Sequence, residues 1–257
     1  MLTQYLTLTQ NLLQLPAAPS TLYSTALLTN YINISRGQIA GEAQCIRRIG
    51  TIPTTIGSRG GYPFSSIVFT DTAVQGAINV RRIMYNVGQG QAWIKGKSWS
   101  WFDFQRFNNP VPTSGAPTEW AQHSQGAAGT GSITGEGSGT MSSGSFYIDP
   151  IPDMVYTLNC DCCCYPIALA ADTDKEALPY LFTDAVPYFA SYLALMSAQT
   201  STRLQQAQQL FALYEQFMQR ARNFANPDLN NFAYEQSPDP FKAGRLGTGQ
   251  APQQGAA

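Results

Sequence analysis

The stretch Ser201–Ala225, STRLQQAQQLFALYEQFMQRARNFA, decides how the rest of the sequence is read. Leu204, Ala207, Phe211, Tyr214, Met218, Ala221 and Phe224 recur at steps of three and four, the period of an amphipathic helix. The opposite face carries Gln205, Gln208, Gln209, Gln216 and Gln219, and Asn226-Pro227 stops the pattern. This helix is long, but the face turned away from its apolar stripe is amide rather than charge. Uncharged polar groups can be covered by another chain without stranding ions. Working outward, Thr183 stands as a possible cap with Pro187 in the first helical turn, where a missing N–H is tolerated. Tyr188, Tyr192 and Leu195 then line one face of a second helix. The link between the two is short, so they are expected to pack as antiparallel neighbours.

Upstream, residues 2–15 favour helix over strand, although Leu6-Thr7-Leu8-Thr9 alternates. Ser20 is a plausible cap for one or two helices over 20–48, with Tyr23, Leu27, Tyr31 and Ile34 at helical spacing and Ile39, Ala43 and Ile46 continuing the face. Gly50 and Pro53 are expected to end them. Between 51 and about 170, short apolar runs alternate with Gly, Pro and Asn: Ser66–Thr70, Ile78–Tyr85, Ala92–Ile94, Ser98–Phe104, Ser145–Ile148 and Met154–Leu169. That spacing predicts strands. In residues 126–145, 15 of 20 are Gly, Ser or Thr, a composition that cannot form a core and reads as a loop. The expected organisation is an α+β chain. A helical segment spans 1–50, a β-rich middle region 51–170, a helical pair 171–227 and an extended arm 228–257. The N- and C-terminal helices together form a bundle.

Charge supports an assembly role. Charged residues are 12 % of the 257-residue chain, about half the usual share, and they are unevenly spread. Residues 1–35 have none, 36–106 hold nine Lys/Arg against three acids, and 107–199 hold one Lys against nine acids. Either the two regions neutralise each other within one surface, or a positive face on one copy meets a negative face on the next, as a ring of heterologous contacts allows. No run reaches the ~18–20 apolar residues of a membrane span. The N-terminus lacks the pattern of a signal peptide, so the chain is expected to be made in a reducing cytosol.

Chemistry is thinly represented. His123 is the single histidine and lies beside the Gly/Ser-rich stretch, a poor setting for a positioned base. Cys160, Cys162, Cys163 and Cys164 cluster, with Cys45 distant, yet four thiolates on one strand cannot surround a tetrahedral ion. Gly96-Lys97-Ser98 ends like a phosphate-binding loop, but that motif needs glycine at 91, which is Gln, and Trp99-Ser100-Trp101-Phe102 reads as strand. Asp172, Asp174 and Glu176 read as a solvated turn that could also meet a cation. Trp93, Trp99, Trp101, Phe102 and Phe104, with Lys95, Lys97 and Arg106, read either as a β core with snorkelling lysines or as a stacking platform for single-stranded nucleic acid. The expectation is a non-enzymatic chain with no catalytic, cofactor or metal site. A partner interface is expected in the arm at Phe232, Tyr234, Phe241, Lys242, Arg245 and Leu246.

The order of three segments is more telling. Gly115-Ala116-Pro117-Thr118-Glu119-Trp120-Ala121 precedes Tyr147-Ile148-Asp149-Pro150-Ile151-Pro152-Asp153-Met154-Val155-Tyr156-Thr157-Leu158. Tyr165-Pro166 and the acidic turn follow, then Leu178-Pro179-Tyr180-Leu181-Phe182-Thr183-Asp184-Ala185-Val186-Pro187-Tyr188-Phe189-Ala190. This order resembles the head-to-tail adaptor (connector) proteins of tailed bacteriophages, as do Tyr31-Ile32-Asn33 and Arg36 near the start. The likeness covers roughly 20–50 and 115–225, and the 126–145 insertion and the long arm depart from it. The resemblance implies a structural virion protein at the portal vertex, assembled in the host cytoplasm. It would be a ring homo-oligomer of about 12 copies, bound to the portal protein and to tail nozzle or tail-tube proteins. Genomic DNA would pass through its channel without specific binding, and no membrane is involved. The competing readings are another virion component (tail tube, nozzle or head decoration) and the single-stranded nucleic-acid module.

Overall fold

The computed structural model describes residues 1–15, 23–87, 90–108, 113–124, 144–197 and 201–225. Two helices lead the chain, α1 (Leu2–Leu12) and α2 (Thr25–Ala43). Ser24 caps α2 by accepting a hydrogen bond from the Leu27 N–H; Ser20 lies outside the described residues. The helix is shorter than its sequence pattern implies. It closes at Ala43 with Gln44 in a left-handed conformation, and Arg47–Pro53 is already strand β1. Gly50 and Pro53 therefore sit inside a strand rather than ending a helix, and the 1–50 segment boundary cuts through β1.

The strands that follow are β2 (Tyr62–Pro63), β3 (Val68–Phe69), β4 (Val74–Val87) and β5 (Gly90–Gly96). After helix α3 (Trp99–Asn108) come β6 (Ser114–Gly115), β7 (Glu119–Gln122), β8 (Ser145–Asp149), β9 (Ile151–Pro152) and β10 (Thr157–Pro166). Eight of them form one sheet in the order β2-β8-β7-β5-β4-β10-β1-β3, while β6 and β9 pair separately. The β5–β7 contact is parallel and the others in the large sheet are antiparallel. The sheet is curled. The β10–β4 register shifts at Asp161/Cys162, Cys163/Cys164 and Tyr165/Pro166, and each extra residue bends the strand that carries it.

Helix α3 corrects the strand expectation for Trp99–Phe104. A short apolar run does not distinguish helix from strand. Here the Ser98 Oγ accepts from the Trp101 N–H at 3.4 Å and the Phe102 N–H bonds to the Ser98 carbonyl, which opens a helix. Only Phe102 of this run enters the interior, at 1 % exposure.

The chain ends its described part with α4 (Tyr180–Thr183), α5 (Ala185–Ser197) and α6 (Ser201–Ala225). Thr183 does not cap α5; its hydroxyl donates to the Tyr180 carbonyl. Pro187 does lie in the first turn of α5. Helix α5 carries no charge and buries Ala185, Val186, Phe189, Ala190, Ala194 and Leu195, because α1, α2 and α6 all pack on it. On α6 the buried set is Ala207, Leu210, Tyr214, Met218 and Ala221, and all five glutamines of the opposite face are exposed. The stripe is rotated slightly from the sequence reading, since Leu210 goes in while Leu204 stays 38 % exposed. Helices and sheet share one core, so the fold is mixed α and β without a break at 51 or 170.

Glu176 is not part of a solvated turn. It lies buried beside α2, and Arg36, whose side chain is 1 % exposed, donates to it through Nη2 at 2.7 Å and Nε at 3.0 Å. The remaining Arg36 nitrogen donates to Asn33 Oδ1 and to the Ile167 carbonyl. Glu176 also accepts from the Ala177 and Leu178 N–H groups and from the Tyr5 hydroxyl at 3.0 Å. Burial, reinforced by the Glu176 charge, pushes the Tyr5 hydroxyl far up, so it stays a donor. Asn33 completes the set with a two-way amide pair to the Leu169 backbone. Removing one partner of such a pair strands the other charge out of water, which costs ~3–5 kcal/mol. Glu176→Ala should therefore lower the midpoint of thermal unfolding, followed by circular dichroism, by about 10 °C, at ~2–4 °C per kcal/mol for a chain of this size. A loss under about 2 °C would show that the network does not hold the fold together.

Candidate interaction surface

The outer face of the large sheet, away from the helices, follows from the strand register. Val68 lies opposite Thr51, Thr51 opposite Asn159, Asn159 opposite Met84, and Met84 opposite Trp93, so these five residues form one row across β3, β1, β10, β4 and β5. Val68 is 65 % exposed and Trp93 59 %. In the next row Ile49, 58 % exposed, lies beside Asp161, and Asp161 lies opposite Arg82. The Arg82 guanidinium sits 5.6 Å from the centre of the Trp93 ring, a cation–π contact that fixes the indole. Arg47 reaches diagonally to Asp161 at 2.6 Å.

Beyond Pro53 and Thr157, where β1 and β10 part, lies a loop tip. There the Thr54 N–H bonds to the Tyr156 carbonyl, the Tyr156 N–H to Thr54 Oγ1, and the Gly57 N–H to the Pro152 carbonyl. These bonds hold two loops side by side and leave Ile56, Met154 and Val155 between 55 % and 60 % exposed. Large exposed apolar side chains thus occur both on the outer sheet face and at the tip. The sequence reading missed the face because Val68, Thr51, Met84 and Trp93 join one row only through strand pairing.

The charge asymmetry of the sequence resolves inside the chain. Arg36–Glu176, Arg47–Asp161 and Lys97–Glu119 each join the basic 36–106 region to the acidic 107–199 region. Arg48 and Lys175 both meet Asp71. The first alternative, neutralisation within one subunit, accounts for these residues. The three acids of the turn do separate jobs. Asp172 meets the Met1 amino group and Thr3, Asp174 accepts from the Ala170 and Ala171 N–H groups, and Glu176 belongs to the buried network. They do not converge on a common point.

The hydrogen bond from Arg48, followed by that from the Ala73 N–H, holds Asp71 down at about 2. A carboxylate lowered by folding stabilises fully above its ordinary value of about 4 and ceases to do so as pH falls towards about 2. The stability difference between wild type and Asp71→Asn should therefore shrink when denaturant unfolding is repeated at pH 5 and at pH 2.5. A difference that stays constant would rule out this linkage.

The cysteines are interior. Cys160, Cys162 and Cys164 belong to the core shared with the helices, and Cys163 lies outside that cluster with its thiol 3.8 Å from Gln44 Oε1. The register shifts place the extra residues on β4, so β10 keeps its alternation: Cys160, Cys162 and Cys164 face the shared core and Cys163 is buried on the other face beside Gln44. Burial pushes the thiols of Cys45, Cys160 and Cys164 up to about 12, and those of Cys162 and Cys163 also upward. A thiol held protonated is a poor nucleophile at neutral pH. Among the described residues no group of three or more His, Cys, Asp or Glu is placed to hold a metal ion. The four clustered cysteines should stay silent to Ellman's reagent in the native protein at pH 7.5 and react together in denaturant, the half-buried Cys45 setting the upper limit of one native thiol; a second fast native thiol would contradict this burial.

His123 is exposed and packs between Trp99 and Tyr147, with ring centres 4.5 and 6.1 Å away, in an aromatic setting. The Gly96-Lys97-Ser98 segment follows a paired strand that extends to Gly96, not a loop that could wrap a phosphate, and Lys97 is occupied by Glu119 and by the Trp101 ring at 3.8 Å. The aromatic platform is divided. Phe102 is buried, Trp99 stacks on Phe102 and Tyr147, Trp93 belongs to the outer sheet face, and Phe104 is 68 % exposed on α3. The six arm residues Phe232, Tyr234, Phe241, Lys242, Arg245 and Leu246, and most of the 126–145 stretch, lie outside the described residues. No described helix is long and apolar enough to cross a membrane. Neither a family model nor a curated protein matches the chain.

Proposed function

We propose that this chain is a structural virion protein, a head-to-tail adaptor that forms a ring between portal and tail and lines the DNA exit channel. The observation that carries the reading is where the adaptor-like residues fall. Asn33 and Arg36 of the first segment, the acidic turn with Glu176, and the Leu178–Ala190 segment meet in one buried network. Residues far apart in sequence but shared in the resemblance thus have one structural reason to occur together.

The surface supports the same reading. A glutamine-faced α6, an outer sheet face carrying Ile49, Val68 and Trp93, and the Ile56/Met154/Val155 tip give each copy apolar area for neighbours at little cost in stranded charge. In this reading the N- and C-terminal helices form the bundle of the ring, and the arm 228–257 straps a neighbour or the portal. Closing a ring makes each later contact effectively intramolecular, so weak pairwise contacts suffice. A channel that passes DNA should not bind phosphates strongly. Of the basic set Arg36, Arg47, Arg48, Arg81 and Arg82, Arg36 is sealed in the core and Arg47 and Arg48 meet Asp161 and Asp71, while Arg81 and Arg82 are exposed and must face protein or the outside of the ring in this reading.

Mixing the purified protein with portal rings should yield a stacked ring of about 12 copies in negative-stain images and by mass measurement, with Ile56→Asp/Val155→Asp impairing it. A chain that stays monomeric beside the portal, or that assembles near six copies without it, would select a different place in the virion.

A further inference from the structure

A bulge in β4 sets two consecutive arginines on the outer face of the large sheet. At the Asp161/Cys162 register shift Arg81 is the extra residue, lying between Arg82, which pairs with Asp161, and Val80, which pairs with Cys162. A strictly alternating strand would turn one of two consecutive residues inward; a bulge re-aims a side chain. Val80 and Ile83 on either side are buried, while Arg81 and Arg82 are both exposed. Ile83 pairs with Ile94 and both are buried, so Arg82 and Lys95, one step along from each, turn outward side by side. The acids of the same row are already taken. Asp161 is held by Arg47 at 2.6 Å, and Glu119, opposite Lys95 on β7, by Lys97 at 3.2 Å. Among the described residues no carboxylate lies within ion-pair distance of Arg81, Arg82 or Lys95. Apolar groups flank these cations, Trp93 on β5 and Ile49 and Val68 on β1 and β3, all exposed.

We infer that this patch is the docking site for an extended segment of another protein in which carboxylates alternate with apolar side chains. The carboxylates pair with Arg81, Arg82 and Lys95, whose charge the sheet itself leaves without a counterpart, and a guanidinium fork suits a carboxylate in particular. The apolar side chains rest on Trp93 and on Ile49 and Val68. Size excludes a second copy as the sole occupant. Strands lie ~4.8 Å apart and alternate residues ~7 Å apart, so three rows across five strands span ~19 by ~14 Å, or roughly 300 Å². A standard protein–protein contact buries about 800 Å² per partner, whereas ~19 Å is the length of about six extended residues. The chemistry also disfavours single-stranded nucleic acid, which stacks its bases on successive free rings. Trp93 is the single indole of these rows and already carries the Arg82 guanidinium, and the Trp101 ring beyond is capped by Lys97. Ile49 and Val68 offer aliphatic area that phosphates do not use, and Asp161 and Glu119 repel a chain charged at every nucleotide. The assignment concerns the chemistry of one contact and holds whichever assembly the chain enters, so it stands or falls apart from ring formation on the portal.

Fluorescence anisotropy on the full chain reads the docking with three labelled probes of equal length. One is a peptide in which Glu and Asp alternate with Leu and Phe, the second has Gln and Asn in place of Glu and Asp, and the third is oligothymidylate. At low salt the acidic peptide should bind about tenfold or more tightly than its amide counterpart, and the advantage should shrink as salt screens it. Arg82→Glu with Lys95→Glu, both at exposed positions, should remove that advantage while leaving the thermal unfolding midpoint in place. Trp93→Ala should weaken both peptides alike. Absence of a preference for the acidic peptide, or a preference that survives the double substitution, would overturn the assignment. Tighter binding of oligothymidylate than of the acidic peptide would give the patch to nucleic acid instead, and sedimentation showing self-association that the double substitution abolishes would give it to a second copy. Should the double Glu variant unfold, Arg82→Gln with Lys95→Gln makes the same comparison.

Discussion

A buried ion pair governs how this molecule is put together. Arg36 on α2 and Glu176 in the segment before α4 are both withdrawn from water, and a charge so placed is tolerable only when every direction of its hydrogen bonding is met. Meeting those directions recruits Tyr5 from α1, Asn33 from α2, the Ile167 carbonyl just past β10 and the N–H groups leading to α4. Helices from both ends of the described chain and the exit of the central strand are thereby fixed to one another. Apolar packing around α5 supplies the bulk of the burial, but packing alone tolerates sliding; the guanidinium–carboxylate fork does not.

With α2 fixed over β10, two other features follow. Gly37 meets the Tyr165 ring so closely that any side chain there would overlap it, which lets the helix lie directly on the strand. Further along, Tyr214 and Arg222 of α6 both reach Glu42 at the end of α2, and this ties the long helix to the same frame. Helices α1, α2 and α4–α6 share the core on one face of the sheet, while α3 covers only the β7/β8 end of the other, so the β3, β1 and β5 positions of that face are left to solvent. That is the origin of the row whose ends, Val68 and Trp93, are exposed on strands whose inner residues are buried.

Charge is used sparingly and mostly within the subunit. Oppositely charged regions of the sequence fold against each other through Arg36–Glu176, Arg47–Asp161 and Lys97–Glu119. Other charges stay outside, among them Arg59, Arg81, Arg82, Lys95 and Glu215, set among amide, hydroxyl and apolar groups.

By itself the sequence determined what local periodicity can encode. The α6 stripe and its glutamine face, the uncharged α5 with Pro187 in its first turn, and the runs that became β3, β4, β5, β8 and β10 were legible because side chains three, four or two residues apart fall on one face. The absence of nucleotide-loop geometry was legible at Gln91. Other features required the tertiary structure. Trp99–Phe102 is helix because Ser98 and one buried ring outweigh a run that suits either state, and Arg47–Pro53 is strand because β10 pairs with it. Glu176, which reads as one acid of a wet turn, is a core residue because its partner lies 140 positions away. The outer-face row was equally invisible, since it joins residues from separate elements, and pairing between distant segments is set by the whole core rather than by neighbours in the chain.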